Sequence, residues 1–286
     1  MTRTWFITGA ANGLGRDITE EVLARGDQVA ATARRPEELA DLVQTYGERI
    51  EAIELDVRDA QGAEGAVAQA IKRFGRLDVI VNNAGYGKLS AFEDTDADSF
   101  RDQIDTNLYG TIFVTRAALP HLRRQRSGHI LQISSVGGRV ASPGLSAYQT
   151  AKWAVGGFSG VLAAEMAPLG IKVTVVEPGG MKTNWAARTM GDAPEISPDY
   201  EETVGRMLKL RSSGEVNLFT SDPRRVAKIL FELAGHDNPP LKLLIGSDAV
   251  ANARRVEDAR RESDERWEAV SRSADAKAEA FAAMPE

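Results

Sequence analysis

The sequence contains no cysteine, which excludes disulfides and thiolate metal sites and leaves the redox compartment open. Histidine is scarce: His121, His129 and His236 are scattered, with no spacing that pairs metal ligands, so no metal is expected. No stretch approaches the run of about eighteen apolar residues that a membrane span needs. The opening Met-Thr-Arg-Thr-Trp-Phe-Ile-Thr-Gly-Ala enters a strand-like pattern without an extended apolar signal core. A soluble, cytoplasmic protein with no membrane partner is the expectation. Nor is basic charge in excess: the formal net charge is −6, which argues against a nucleic-acid partner or an anionic surface. The G-x-S-x-G nucleophile elbow of hydrolases is missing as well.

What the 286 residues do contain is a regular alternation. Short β-branched or apolar runs at 4–8, 28–33, 50–57, 77–82, 129–134, 171–177 and 241–245 read as strands. Between most of them lie stretches of helical periodicity, around 13–25, 37–46, 60–74, 97–125 and 146–168. Such alternation calls for right-handed crossovers, and the continuous apolar character of Val79-Ile80-Val81 and Val173-Thr174-Val175-Val176 suits strands covered on both faces. The chain therefore reads as a single-domain α/β protein: a doubly wound parallel sheet of about seven strands, a Rossmann fold, with helices on both faces. Residues 184–221 break the rhythm with Gly191, Pro194, Pro198 and Gly214 around a short helix at 200–210. This stretch is expected to be a substrate lid, with Trp185, Met190, Met207, Leu210 and Phe219 as apolar contacts. From 248 to 275 the composition is that of a charged, solvated helix.

After the first strand comes Thr8-Gly9-Ala10-Ala11-Asn12-Gly13-Leu14-Gly15, leading into a helix. Glycines let the backbone turn tightly and approach a pyrophosphate, and the free amides and positive dipole end of the helix attract it. The glycines at 9, 13 and 15 depart from the G-x-G-x-x-G spacing of the common dinucleotide fingerprint. At the end of the second strand, where an acidic residue would hold a ribose 2′-hydroxyl, the sequence is Ala31-Thr32-Ala33-Arg34-Arg35-Pro36. Arg34 and Arg35 can pair with a 2′-phosphate, which favours NADP(H) over NAD(H). Alternatively both are a solvated start to the next helix, and Asn12 adds no charge.

Tyr148 and Lys152 stand four residues apart, and Tyr148 follows Ser135 by thirteen. In a helix, positions i and i+4 share a face, so an ammonium can sit beside the phenol, and a hydroxyl from a strand end can complete a proton-transfer site. Packing for Tyr148 and turn capping for Ser135 are the plain structural alternatives.

The loop at 8–15, Asn82-Asn83-Ala84-Gly85, Asn107, Ser135, Tyr148 with Lys152, and Pro178-Gly179 occur in the order and spacing of a known family. Over residues 4–183 the chain resembles the classical short-chain dehydrogenase/reductase family. The segment Val176-Glu177-Pro178-Gly179-Gly180-Met181-Lys182-Thr183 is similar to its branch of steroid-dehydrogenase-like enzymes and bacterial ketoreductases. The resemblance implies that Asp56 and Val57 border the adenine and that Asn83, Ala84 and Gly85 line the central groove. It also puts Pro178, Gly179, Met181 and Thr183 near the nicotinamide. It implies Tyr148 as proton donor, Lys152 on the nicotinamide ribose, Ser135 orienting the substrate oxygen, and Asn107 supporting a water beside Lys152. Ser135 rather than Ser134 stands at the family interval. The expected activity is NADP(H)-dependent transfer of hydride between the nicotinamide and a ketone or secondary alcohol, in a homodimer or homotetramer. A catalytically silent dinucleotide sensor and an isomerase or dehydratase on the same scaffold are the alternatives.

Overall fold

The apolar runs fold as seven parallel strands in a computed structural model of the chain, which describes residues 2–181, 196–212, 220–276 and 282–285. The strands are β1 (Thr4–Thr8), β2 (Gln28–Ala33), β3 (Ile50–Glu54), β4 (Val79–Asn82), β5 (Gly128–Ile133), β6 (Ile171–Pro178) and β7 (Lys242–Ile245). Their order in the sheet is β3-β2-β1-β4-β5-β6-β7, and every neighbouring pair is parallel. The direction of winding reverses between β1 and β4, which opens a crevice beyond their carboxyl ends, at Thr8 and Asn82.

Nine helices are found among the described residues: α1 (Gly13–Ala24), α2 (Ala40–Tyr46), α3 (Ala60–Phe74), α4 (Ala97–Ile104), α5 (Gly110–Gln125), α6 (Ser146–Met166), α7 (Arg206–Ser212), α8 (Pro223–Ala234) and α9 (Ser247–Arg272). They cover both faces because successive strand residues point opposite ways. Trp5 and Ile7 of β1 enter one core with Ile18 and Val22 of α1 and Val226 and Leu230 of α8. Phe6, between them, enters the other with Val67 of α3, Val114 of α5 and Leu162 of α6. A third, smaller cluster joins Leu89, Ala91, Leu145 and Val204, with Ile196, Tyr200, Met207 and Leu208 packed against it.

Several boundaries differ from the sequence expectation. The strand expected over 50–57 ends at Glu54, because β2, its only neighbour, ends at Ala33; Leu55 N–H donates to the Ala33 carbonyl as the last rung. Asp56 and Val57 therefore lie in the turn before α3, which Asp59 caps by accepting from Gln61 N–H. The helix expected over 97–125 is interrupted by a π turn at Asp105–Tyr109, with Asn107 at its centre. Such widened turns recur at functional sites. In the expected lid, the short helix at 200–210 is resolved into a 3-10 turn at Pro198–Tyr200, a π turn at Glu201–Gly205, and α7. Trp185, Met190 and Phe219 fall outside the described residues. Helix α9 is largely exposed, with Ala249 and Ala253 buried.

Candidate active site

The crevice is built first from the β1–α1 turn. Gly9 and Gly13 take positive φ values of 64° and 54°, which lets the chain reverse from strand to helix. A Cβ on Gly15 would lie 2.3 Å from the Gly9 carbonyl oxygen and 2.4 Å from Asn83 Nδ2. The turn is knitted to β4 from both sides. Thr8 Oγ1 accepts from the backbone N–H groups of Asn83 and Ala84 at 2.9 and 3.0 Å. Asn83 Nδ2 donates to the carbonyls of Thr8 and Gly9 at 2.9 and 3.3 Å. Leu14 turns its side chain into the core, so it can offer a ligand only backbone. No side chain caps α1 and its first turn holds no acid, so the free amides and the dipole face the crevice as an anion site.

At the far end of β2, Arg34 and Arg35 are exposed. No carboxylate stands at the strand end in sequence, yet the fold supplies one. The 3-10 turn Pro36–Leu39 brings Glu38 back to pair with Arg35 and to accept from Asn12 Nδ2 at 3.2 Å. Asp56 is held by Arg58, whose backbone N–H and guanidinium donate to it at 3.0 and 2.7 Å. These bonds keep its carboxyl below the usual range. Val57 is buried against Gly110, where a Cβ would come within 2.5 Å of Val57 Cγ2.

The centre of the crevice gathers Gly85, Asn107 and Lys152. A Cβ on Gly85 would be 2.5 Å from Asn107 Oδ1 and 3.5 Å from Lys152 Nζ. Asn107 is fully buried, and its amide satisfies backbone: Oδ1 accepts from Tyr86 N–H at 3.1 Å, and Nδ2 donates to the Tyr86 and Gln103 carbonyls at 2.8 Å each. The π turn thus clamps the Gly85-Tyr86 loop against α6. Lys152 donates to the Ile133 carbonyl at 2.8 Å, and its Nζ lies 5.7 Å from the centroid of the Tyr148 ring, one helical turn earlier. Both side chains are buried.

The two serines after β5 separate clearly. Ser134 is buried and donates to the Lys152 carbonyl at 3.2 Å, which spends it on the backbone of α6. Ser135 is partly exposed; its Oγ accepts from Gly137 N–H at 3.0 Å and reaches the Pro178 carbonyl only at 3.5 Å. It does cap the following 3-10 turn, and its proton is weakly engaged. Pro178 ends β6, Gly179 N–H donates to the Ile245 carbonyl at 2.9 Å, and Met181 forms a parallel bridge with Ser221. Thr183 lies outside the described residues.

Contacts between distant segments complete the wall and have no local sequence signal. Glu177, 1% exposed, accepts from Arg139 Nε at 2.8 Å, and Arg139 also pairs with Glu257 of α9. Ser197 N–H donates to Asp94 at 3.0 Å and the Tyr200 hydroxyl to Glu93 at 2.6 Å, which fastens residues 196–205 beside the Leu89 cluster. Among the described residues no group of His, Asp or Glu is placed to hold a metal ion, and no helix is long and apolar enough to cross a membrane.

Sequence comparison bears directly on this architecture: the profile of the short chain dehydrogenase family matches residues 3–193. The chain belongs to that family. It is 49% identical to the oxidoreductase BOA17 of Botryotinia fuckeliana over 275 residues, 95% of this chain and 98% of the relative. A short-chain dehydrogenase from Streptomyces avermitilis, 39% identical, superposes with a TM-score of 0.87 over 96% of this chain and 98% of its own. ElxO, solved with NADP bound, is 31% identical with a TM-score of 0.73, covering 88% of this chain and 100% of its own. Family membership makes the chain an oxidoreductase on a Rossmann-type sheet.

Burial lowers Lys152 to about 8, whereas in the unfolded chain it keeps its proton up to about 10.4. Below pH 8 both states are protonated, and folding bears the whole desolvation cost, about 3 kcal/mol. Between about 8 and 10.4 only the unfolded state holds the proton, so stability rises with pH. Urea unfolding of the cofactor-free protein should therefore show wild type gaining on Lys152→Met by up to about 1.4 kcal/mol per pH unit above pH 8. Parallel pH dependences for the two would mean that the ammonium is not desolvated.

Proposed function

We propose that this short-chain dehydrogenase transfers hydride between a nicotinamide dinucleotide, NADP(H) in preference to NAD(H), and a ketone or secondary alcohol. Tyr148 is its general acid and base. The observation that carries the proposal is the buried Lys152 ammonium, held on the Ile133 carbonyl beside Gly85, one turn from the Tyr148 ring. The chain's own residues fit the dinucleotide: an uncapped, acid-free helix start, a turn too tight for any Cβ at Gly15, and arginines at the end of β2.

When bound, the dinucleotide supplies the hydride that reaches the carbonyl carbon. As negative charge grows on the carbonyl oxygen, the Tyr148 hydroxyl gives it a proton and Ser135 Oγ donates a hydrogen bond to the same atom. Lys152 favours the phenolate that remains. Lowering a phenol from about 10 to about 8 takes roughly 2.7 kcal/mol. A cation about 6 Å from the centre of the ring, in an effective dielectric of about 20, contributes roughly 3 kcal/mol before desolvation. In the reverse direction the phenolate takes the alcohol proton. Tyr109 and Val161, exposed on the π turn and α6, suit association as a homodimer or homotetramer.

A screen of ketones and alcohols with both cofactors, followed by reduced-nicotinamide absorbance, tests the reading. Turnover of NADPH on a ketone is expected. Binding without turnover across a broad panel would favour a sensor, and product formed without net NADPH oxidation an isomerase or dehydratase. Within the same assay, Arg34→Asp should raise KM for NADPH by about tenfold or more and leave NADH within about threefold. Glu38→Gln, which frees Arg35, should lower KM for NADPH. Equal effects on the two cofactors would remove the 2′-phosphate assignment.

A further inference from the structure

The turn that leaves β6 has no room for side chains. A Cβ on Gly179 would fall 2.2 and 2.4 Å from the two carboxylate oxygens of Asp248, and one on Gly246 would fall 2.7 Å from Asp248 Oδ1. The same carboxylate accepts from Gly180 N–H at 2.8 Å and from the Thr220 hydroxyl. It stands in the first turn of α9, where the helix dipole favours an anion. Around it, Gly179 N–H donates to the Ile245 carbonyl at 2.9 Å and Ser221 N–H to the Gly180 carbonyl at 3.1 Å. Gly246, with φ at 102°, turns the chain from β7 into α9. Four segments meet on one carboxylate: the exits of β6 and β7, the return at 220–221, and the start of α9.

A carboxylate in a first helical turn ordinarily serves the amides of its own helix. This one reaches back 68 residues to Gly180, on the segment that follows Pro178. The two glycines it approaches are the ones where any side chain would push it away. A second brace from α9 acts on the other flank, where Glu257 holds Arg139 on the buried Glu177.

We propose that Asp248 is a positioning residue that fixes the Gly179-Gly180 turn as the wall on which the nicotinamide ring rests. The proposal rests on the dinucleotide assignment made above. Its effect should be confined to the nicotinamide half of the cofactor, because the adenosine half is held at β2 and α1, on the other side of the crevice.

The test compares binding of NADPH with binding of 2′,5′-ADP, which carries the adenosine and its 2′-phosphate but no nicotinamide. Asp248→Ala should weaken NADPH by about tenfold or more while 2′,5′-ADP changes by less than about twofold. Asp248→Asn, which keeps an acceptor for Gly180 N–H, should restore NADPH binding to within about threefold of wild type. Equal loss for both ligands, or no loss for NADPH, would overturn the positioning role. Should Asp248→Ala fail to fold, Thr220→Val removes one donor and leaves the Gly180 bond. It should give the same split between ligands at a smaller size, and its absence would overturn the proposal equally. If wild type binds neither NADPH nor the fragment, the dinucleotide assignment itself is wrong, which is a different result from an unsplit effect.

Discussion

Replacing Tyr148 with phenylalanine should lower ketone reduction by roughly a thousandfold or more while NADPH binding stays within about twofold of wild type. The substitution removes one oxygen and keeps the ring, so packing at a position 8% exposed is nearly unchanged. What is lost is the only proton source proposed for the carbonyl oxygen. Ser135 cannot replace it, because an aliphatic hydroxyl is a far weaker acid than a phenol. The Lys152 ammonium lies beside the Tyr148 ring. Its removal alone leaves the phenol in place and should therefore cost less than removal of the phenol. Kinetics at saturating cofactor and separate measurement of the binding constant distinguish a chemical defect from a binding one. A Tyr148→Phe protein that folds, binds NADPH and reduces ketones at the original rate would end the mechanism.

The second large effect is expected at Gly15. A methyl group there cannot be accommodated by a flexible side chain moving aside, since it meets the Gly9 carbonyl oxygen at 2.3 Å and the Asn83 amide at 2.4 Å. Relief requires the turn to open, which breaks the Asn83 bonds to Thr8 and Gly9. Overpacking of this kind costs about 1 to 3 kcal/mol, and each buried group left without a partner adds about 1 to 3 kcal/mol. Gly15→Ala should thus lower the melting temperature by several degrees and weaken dinucleotide binding by about a hundredfold or more. Gly65→Ala on α3 is the matched control, because nothing lies within 4 Å of its added methyl. An alanine there should stabilise the helix by about 1 kcal/mol. If the Gly15 and Gly65 variants bind cofactor alike, the glycine turn is not the phosphate cradle.

Local structure is readable wherever a signal lies within one element. β2 occupies Gln28–Ala33, the apolar run read from the sequence, and the Tyr148 and Lys152 interval places both on α6. The turn at 8–15 also formed where strand, glycines and helix start coincide. Errors arose where tertiary partners decide. β3 is shorter than its apolar run because β2 offers no further rung, and the continuous helical pattern over 97–125 conceals the π turn at Asn107. Periodicity is insensitive to one inserted residue within a long amphipathic stretch, so that break carried no signal. Glu38, Asp248 and the Arg139–Glu177 pair were invisible for a related reason. Each matters through a partner brought near by the fold, and a carboxylate in a charged helix looks like solvated surface until the strand end opposite it is known.

Helix α9 carries a temporal consequence as well as a spatial one. Asp248 and Glu257 are synthesised after all seven strands of the sheet, yet they clasp backbone at Gly180 and a side chain at Arg139 made much earlier. A nascent chain that has emerged as far as β6 can close its glycine turn from neighbours already present, but its opposite wall waits for α9. On the ribosome, the crevice is finished from one side first, and its second wall follows once α9 has left the exit tunnel.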